Sequence, residues 1–264
     1  MKAIVMERYG PPERLELRDV PVPTPKPNEV LVRVHAASVN DWDYSMVIGK
    51  PFLTRVITGL RRPRVRSVGG DLAGRVEAVG SAVTSLKTGD EVYGDLCEQG
   101  FGAFAEYVCA PDSCLVHKPT AMTFEHAASI PQAGMLAVQG LIDVGRLQRG
   151  QTLLLNGAGG GVGTIALQIA KHVKRGGAYV TVGGDTSRPL QLALPGLLIS
   201  RLSDKRLTLA ALKPNKDLPF INDLYSAGKF VPVIDSVYPL ARVPDALARF
   251  GTGEHHGKII ITMT

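Results

Sequence analysis

The sequence predicts an α/β chain made of two unlike halves: a small β-barrel or sandwich, then a parallel-sheet unit opened by a glycine turn. Three observations carry this. Short runs rich in Val, Leu and Ile, each bounded by Gly, Asp or Pro, fill residues 1–118. From residue 123 onward, strand patterns alternate with helix patterns, the sign of a parallel sheet. The chain has 29 Gly and 18 Pro among 264 residues without a G-X-Y period, which demands many tight turns and excludes a collagen-like chain.

The elements follow in order. KAIVMERY, RLELRDV and EVLVRVHAASV read as strands, the last two separated by the spacer PVPTPKPNE. DWDYSMVIG reads as a short helix capped by Asn40 or Asp41. GRVEAVG, DEVYGDL and AFAEYVCA are further strands. Thr123 caps a helical pattern that Pro131 must end or kink, because proline has no N–H and clashes with the preceding turn. Leu153, Leu154 and Leu155 form a buried strand that feeds a helix with Ile165, Leu167, Ile169 and Ala170 on its apolar side. GGAYVTVGG, KRLTLAALKP, DLPFINDLYSAGK, FVPVIDSVYPL, VPDALARFGTG and HGKIIITMT continue the alternation.

Composition removes several functions. With 45% hydrophobic and 20% charged residues the chain can bury a core. Aromatics at 6% are too few for stacking platforms, so no nucleic-acid partner is expected. No apolar run approaches the ~20 residues of a membrane helix, and no membrane partner is expected. MKAIVMERYG is too quickly polar for a signal peptide. Cys97, Cys109 and Cys114 form no C-x-x-C, which argues against a disulfide framework or a structural zinc cluster and fits a cytoplasmic protein. The net charge of +6 has one dense patch, Arg55, Arg61, Arg62, Arg64 and Arg66, read either as a solvated loop or as a contact for a phosphate or anionic substrate.

The glycine turn is the most informative stretch. Its spacing is Gly157-x-x-Gly160-x-x-Gly163, between a strand and a helix. Glycines let the backbone approach a pyrophosphate, and the free N–H groups at the helix start hold its charge. Gly157, Ala158, Gly159, Gly160, Gly161 and Val162 are therefore candidate cofactor-binding residues. Such a unit also wants an acid or a basic group at the end of the next strand. Asp185 stands 22 residues after Gly163 and could hold a ribose hydroxyl; Arg188 could hold a 2′-phosphate.

Taken together, HAASVNDWD, GGDLAGRVEAVG, TGDEVYG, GAFAEYV, FEHAASIPQAG, LLLNGAGGGVGTIALQIAK, GGAYVTVGG and DSVYPL through GKIII resemble the zinc-independent medium-chain dehydrogenase/reductase superfamily, in its quinone oxidoreductase-like branch. The resemblance spans nearly the whole chain. It implies a GroES-like β-barrel substrate domain (1–118), a Rossmann-type cofactor domain (119–240), and a C-terminal helix and strand returning to the first domain (241–264). It implies hydride transfer from NADPH, with NADH as the alternative, to a small quinone, enone or similar carbonyl compound, and by analogy a homodimer. It places Asn40 at the cleft floor near nicotinamide and substrate. Asp43 and Tyr44 follow on the short helix, and Tyr44 is the nearby phenol able to donate to a carbonyl oxygen. Where zinc-dependent relatives carry ligands, this chain has Ser38-Val39-Asn40 and Gly69-Gly70-Asp71, so no metal is expected. Leu136 stands where the family commonly has a threonine facing the nicotinamide.

One departure is large. Lys171-His172 runs almost directly into GGAYVTVGG, so roughly 60–70 residues of strand–helix units are missing and the Rossmann domain is truncated. By local spacing GGAYVTVGG is the second strand of a βαβ unit. By resemblance it is the fifth strand, with Val182, Gly183 and Gly184 facing the nicotinamide. The missing part would grip the adenosine, so a second reading is a catalytically degenerate relative that acts as a binding or regulatory module.

Overall fold

The computed structural model describes residues 1–147, 153–172, 178–181 and 212–263. A two-stranded ribbon joins β1 (Lys2–Val5) and β2 (Glu16–Asp19) antiparallel. The main sheet is built on β3 (Glu29–Ser38), a ten-residue strand paired along both edges. One edge carries β4 (Asp71–Val79), which leads on to β5 (Glu91–Asp95) and β7 (Leu115–His117). The other edge is shared. β6 (Tyr107–Pro111) pairs with Glu29 through Arg33, and β11 (Lys258–Thr262) pairs with Ala36 through Ser38. β10 (Ile234–Pro239) lies parallel to β11 at the sheet's end. Every run read as a strand in residues 1–118 forms one.

Side chains of successive strand residues point to opposite faces, and here both faces are covered. Leu72, Val92, Ile259 and Ile261 join the barrel core with Met46, Phe104 and Leu247. Ala36, Ala73, Tyr93 and Ile260 join a second core under the helices. A sheet buried on both sides explains why Ile259, Ile260 and Ile261 run together without a polar alternate.

Helices supply the second layer. α1 (Asp41–Ile48) is capped by Asn40, with Gly49 in the left-handed region at φ +63° ending it. α2 (Phe52–Thr58) follows. α3 (Phe124–Ser129) starts at Thr123, whose hydroxyl accepts from the His126 N–H, and Pro131 breaks it from α4 (Pro131–Val138) as the chemistry of proline requires. A π-helical turn, Gln139–Val144, extends α4.

β8 (Leu153–Asn156), α5 (Gly161–His172) and β9 (Ala178–Thr181) form a βαβ unit in which β9 pairs with β8 in parallel. Ala178–Thr181 of GGAYVTVGG therefore pairs directly with the strand before the glycine turn, as local spacing implied. Ile165, Ala166 and Ile169 bury, but Leu167, expected on the same side, is exposed. At 100° per residue it points some 200° away from Ile165. α6 (Leu218–Ser226) and α7 (Val243–Gly251) complete the described elements. Tyr93 Oη donates to Asn222 Oδ1 at 2.7 Å, tying α6 to the main sheet.

Candidate active site

The glycine turn meets the main sheet where β11 begins. The Gly257 N–H donates to the Gly159 carbonyl at 2.8 Å, and Gly160 and Gly257 form a parallel bridge. Gly157 has φ +77°, a conformation that favours glycine. A Cβ on Gly163 would overlap the Gly157 carbonyl oxygen and come 2.6 Å from Ala158 Cα, so α5 approaches the turn as only glycine permits. Among the described residues, the backbone N–H groups of Gly161, Val162 and Gly163 have no hydrogen-bond partner. Gly157 and Gly159 are exposed in front of them. Three free amides at the start of a twelve-residue helix form a cradle for an anionic group.

Behind the turn lies a buried polar seam that the sequence did not reveal. Lys258, the first residue of β11, is buried, and a Cβ on Gly161 would overlap its Cδ. Its Nζ donates to the Val39 carbonyl at 3.2 Å and to Asn40 Oδ1, and lies 3.6 Å from Asp71 Oδ2. Because an ammonium only donates, the Asn40 atom it touches must be the oxygen, which leaves Nδ2 as the amide's remaining donor. Asp71 also accepts from Ser38 Oγ at 3.1 Å and faces the Gln132 N–H at 3.3 Å. Asp43 Oδ2 accepts the Asn40 N–H at 2.9 Å. Asp95 Oδ1 accepts the Cys97 N–H at 2.8 Å, and Asp95 exchanges two hydrogen bonds with the Asn215 side chain at 2.9 Å. Asn40 Nδ2, Asp43 Oδ1 and Asp95 Oδ2 are buried without partners.

Three buried carboxyls thus surround one ammonium. Burial pushes Asp43 up to about 8, and the Asp71 charge adds to this; the Asn40 N–H and Lys258 pull the other way. Burial likewise raises Asp71 to about 6, opposed by Lys258. Lys258 is lowered by burial and held up by Asp71 and Asp43. Burial and the neighbouring Asp71 charge therefore both favour the protonated form of Asp43.

The other predicted residues are placed as follows. Tyr44 packs on α7: its ring is 5.8 Å from that of Phe250, and a Cβ on Gly251 would come 2.7 Å from its Cζ. The phenol expected to reach a carbonyl oxygen is thus wedged against a helix. Val182, Gly183, Gly184, Asp185 and Arg188 lie outside the described residues. Gln132 Nε2 sits 3.5 Å from Cys97 Sγ. The two adjacent histidines divide: His256 is exposed beside Gly159, while His255 folds back to stack on Phe250 at 4.7 Å. Burial raises all three thiols, Cys109 to about 11. Among the described residues no group of three His, Cys, Asp or Glu could hold a metal ion.

Comparison with known proteins gives a consistent picture. Residues 26–120 match the alcohol dehydrogenase GroES-like domain, and residues 143–261 match the zinc-binding dehydrogenase family. The chain is 30% identical to the chloroplast envelope quinone oxidoreductase homolog of Arabidopsis thaliana, over 99% of this chain and 98% of that one. It is 31% identical to the NADPH-dependent alkenal/one oxidoreductase of the same plant, over 99% and 79%. The solved structure of the quinone oxidoreductase from Coxiella burnetii superposes with a TM-score of 0.81 at 25% identity, covering 100% of this chain and 99% of that one. The first of these alignments runs over 329 positions, more than the 264 residues available here, so the relative carries residues that have no counterpart in this chain.

Proposed function

The chain belongs to the medium-chain dehydrogenase/reductase superfamily, in its quinone oxidoreductase-like branch, and from that premise we propose that it reduces a quinone or an enone by hydride transfer from NADPH. The observation that carries this reading is the row of unpartnered amides at Gly161, Val162 and Gly163, set directly against the Lys258–Asn40 seam.

The turn fits the diphosphate of a nicotinamide dinucleotide: free N–H donors, exposed glycines, and no Cβ in the way. When bound, the dihydronicotinamide supplies the hydride, so the protein needs no nucleophile. The work left to the chain is binding and orientation. Gly161, Val162 and Gly163 donate to the diphosphate. Lys258 stiffens the floor beneath them and fixes which way the Asn40 carboxamide faces. Asn40 Nδ2 is buried beside Asp71, so Asn40 shapes the floor of the cleft from within the seam. Burial favours the protonated form of Asp43, which lessens the negative charge around Lys258. A hydroquinone or saturated ketone takes its proton from solvent.

The preference for NADPH rests on the similarity to the NADPH-dependent Arabidopsis relative and on Arg188. A fluorescence titration with NADPH and NADH, followed by quinone- and enone-dependent NADPH oxidation, tests the reading. Binding with turnover supports it, and absence of both ends it. Binding without turnover favours the second reading, a degenerate relative acting as a binding module. That reading is motivated by the short β8–β9 pair and by the alignment that outruns the chain.

A further inference from the structure

The most unusual surface of the molecule is built on α2 and the arginines beside it. α2 is amphipathic the wrong way round. Phe52, Leu53, Val56 and Ile57 sit on one arc of the helix and face solvent, with Phe52 67% and Ile57 60% exposed. Thr54, only 3% exposed, faces the protein, and Thr58 Oγ1 donates to the Thr54 carbonyl at 2.7 Å. Leu60 extends the apolar arc and is also exposed. A water-soluble surface gains nothing from four large apolar side chains on two helical turns; such contiguous patches mark an interaction site.

Beside this arc is a pocket of about 330 Å³ lined by Arg8, Tyr9, Arg14, Arg55, Arg61 and Arg62. No acid lines it. The helix is fastened to it: Tyr9 Oη donates to the Gly59 carbonyl at 2.7 Å, and Arg55 stacks over the Tyr9 ring at 5.0 Å while donating to the Gly49 carbonyl. Among the described residues Arg8, Arg14, Arg55, Arg61 and Arg62 form no ion pair. Glu7, which adjoins Arg8, is engaged by Arg18 at 2.8 Å and Arg66 at 3.6 Å, and Glu13, which adjoins Arg14, forms no ion pair among the described residues. Five guanidinium groups around one hollow repel one another unless an anion joins them.

We propose that this face docks on an anionic lipid membrane, with a lipid phosphate in the arginine pocket and the apolar arc of α2 seated among the acyl chains. Each half explains the other. Arginines alone would suit any phosphate, and an apolar arc alone would suit any greasy partner. An apolar arc flanked by unpaired arginines matches the boundary between headgroup and acyl chain. No helix among the described residues is long and apolar enough to cross a bilayer; a seven-residue helix lying in the interface plane does not need to be. The proposal goes beyond the reductase reading and does not depend on it.

Flotation of the full chain with vesicles tests it without any turnover assay. Vesicles of phosphatidylcholine with phosphatidylglycerol should retain the protein at least about tenfold better than phosphatidylcholine alone, and high salt should reverse much of this. Arg61→Glu with Arg62→Glu, and separately Phe52→Ser with Ile57→Ser, should each lose at least about tenfold in binding. Both pairs are exposed, so thermal unfolding should stay unchanged and certifies the fold. Equal binding to both vesicle types, or none, overturns the proposal. Unimpaired flotation of the Phe52→Ser, Ile57→Ser chain also overturns it, reducing the pocket to a site for free phosphate, which calorimetry with inorganic phosphate would then detect. A dimer that this same double variant converts to monomer, with no vesicle binding by the native chain, assigns the arc to a second copy and likewise overturns it.

Discussion

β3 and β8 are both apolar strands at the centre of their surroundings, yet they are held differently. β3 is paired along both edges, by β4 on one side and by β6 and β11 on the other. β8 has one strand partner among the described residues, β9. The barrel region is therefore self-supporting, with its own closed core. The glycine turn is positioned less by its own small sheet than by the start of β11, through the Gly159–Gly257 hydrogen bond and the Lys258 stem beneath Gly161. The start of a strand from the neighbouring sheet thus helps to hold the cradle.

If that is right, the largest effect comes from cutting the support. Lys258→Met leaves three buried carboxyls without their cation and should cost about 3–5 kcal/mol in urea unfolding at pH 7.5. The loss should shrink below pH 6, where Asp71 takes up a proton. A cost under about 1 kcal/mol would show that the seam does not carry the turn.

Next in size is the pH dependence of the seam itself. Asp43 and Asp71 both have folded pKa values above the ordinary 3.8, so the folded state binds more protons than the unfolded one. Stability from these groups is complete below about pH 4 and is lost as pH rises through about 6 for Asp71 and about 8 for Asp43. Asp43→Asn cannot ionise, so its stability relative to the native chain should improve between pH 6 and pH 9. Parallel denaturation curves for the two proteins across that range would contradict the assignment.

Gly163→Ala probes the turn from its own side. The added Cβ meets the Gly157 carbonyl and Ala158, and overpacking of this kind costs about 1–3 kcal/mol. NADPH affinity should fall at least about tenfold in a fluorescence titration, while the barrel region unfolds as before. The smallest effect is expected from Tyr44→Phe. The ring is fixed by Phe250 and Gly251, so kcat for quinone-dependent NADPH oxidation should stay within about twofold and stability within about 0.5 kcal/mol. A loss beyond tenfold in kcat would restore the phenol to the chemistry.

Much of this was legible in the residues. Short apolar runs bounded by Gly, Asp or Pro gave the barrel strands, Asn40 or Asp41 and Thr123 marked helix starts, Pro131 marked a break, and the glycine spacing marked the turn. The seam was not legible. Lys258 reads locally as a polar residue before an apolar strand; only a buried charge at the strand's first position hinted at more. Asp71 opens β4 and Asp95 closes β5, far apart in sequence, and only the register of the sheet sets them opposite each other. The Gly/Pro-punctuated arginine stretch reads as a basic loop, and α2 lies within it.

What the sequence by itself determined are the properties decided within a few residues: which dihedrals are open to glycine and proline, which hydroxyl or amide can cap a helix, which period a strand repeats. What only the tertiary structure decided is which of these local pieces meet. Lys258 touches Val39 across 219 positions of chain, and Asp71, Asn40 and Gly161 join them from three other elements. The energy of a buried charge depends on everything around it, so its role exists only after the sheet has closed.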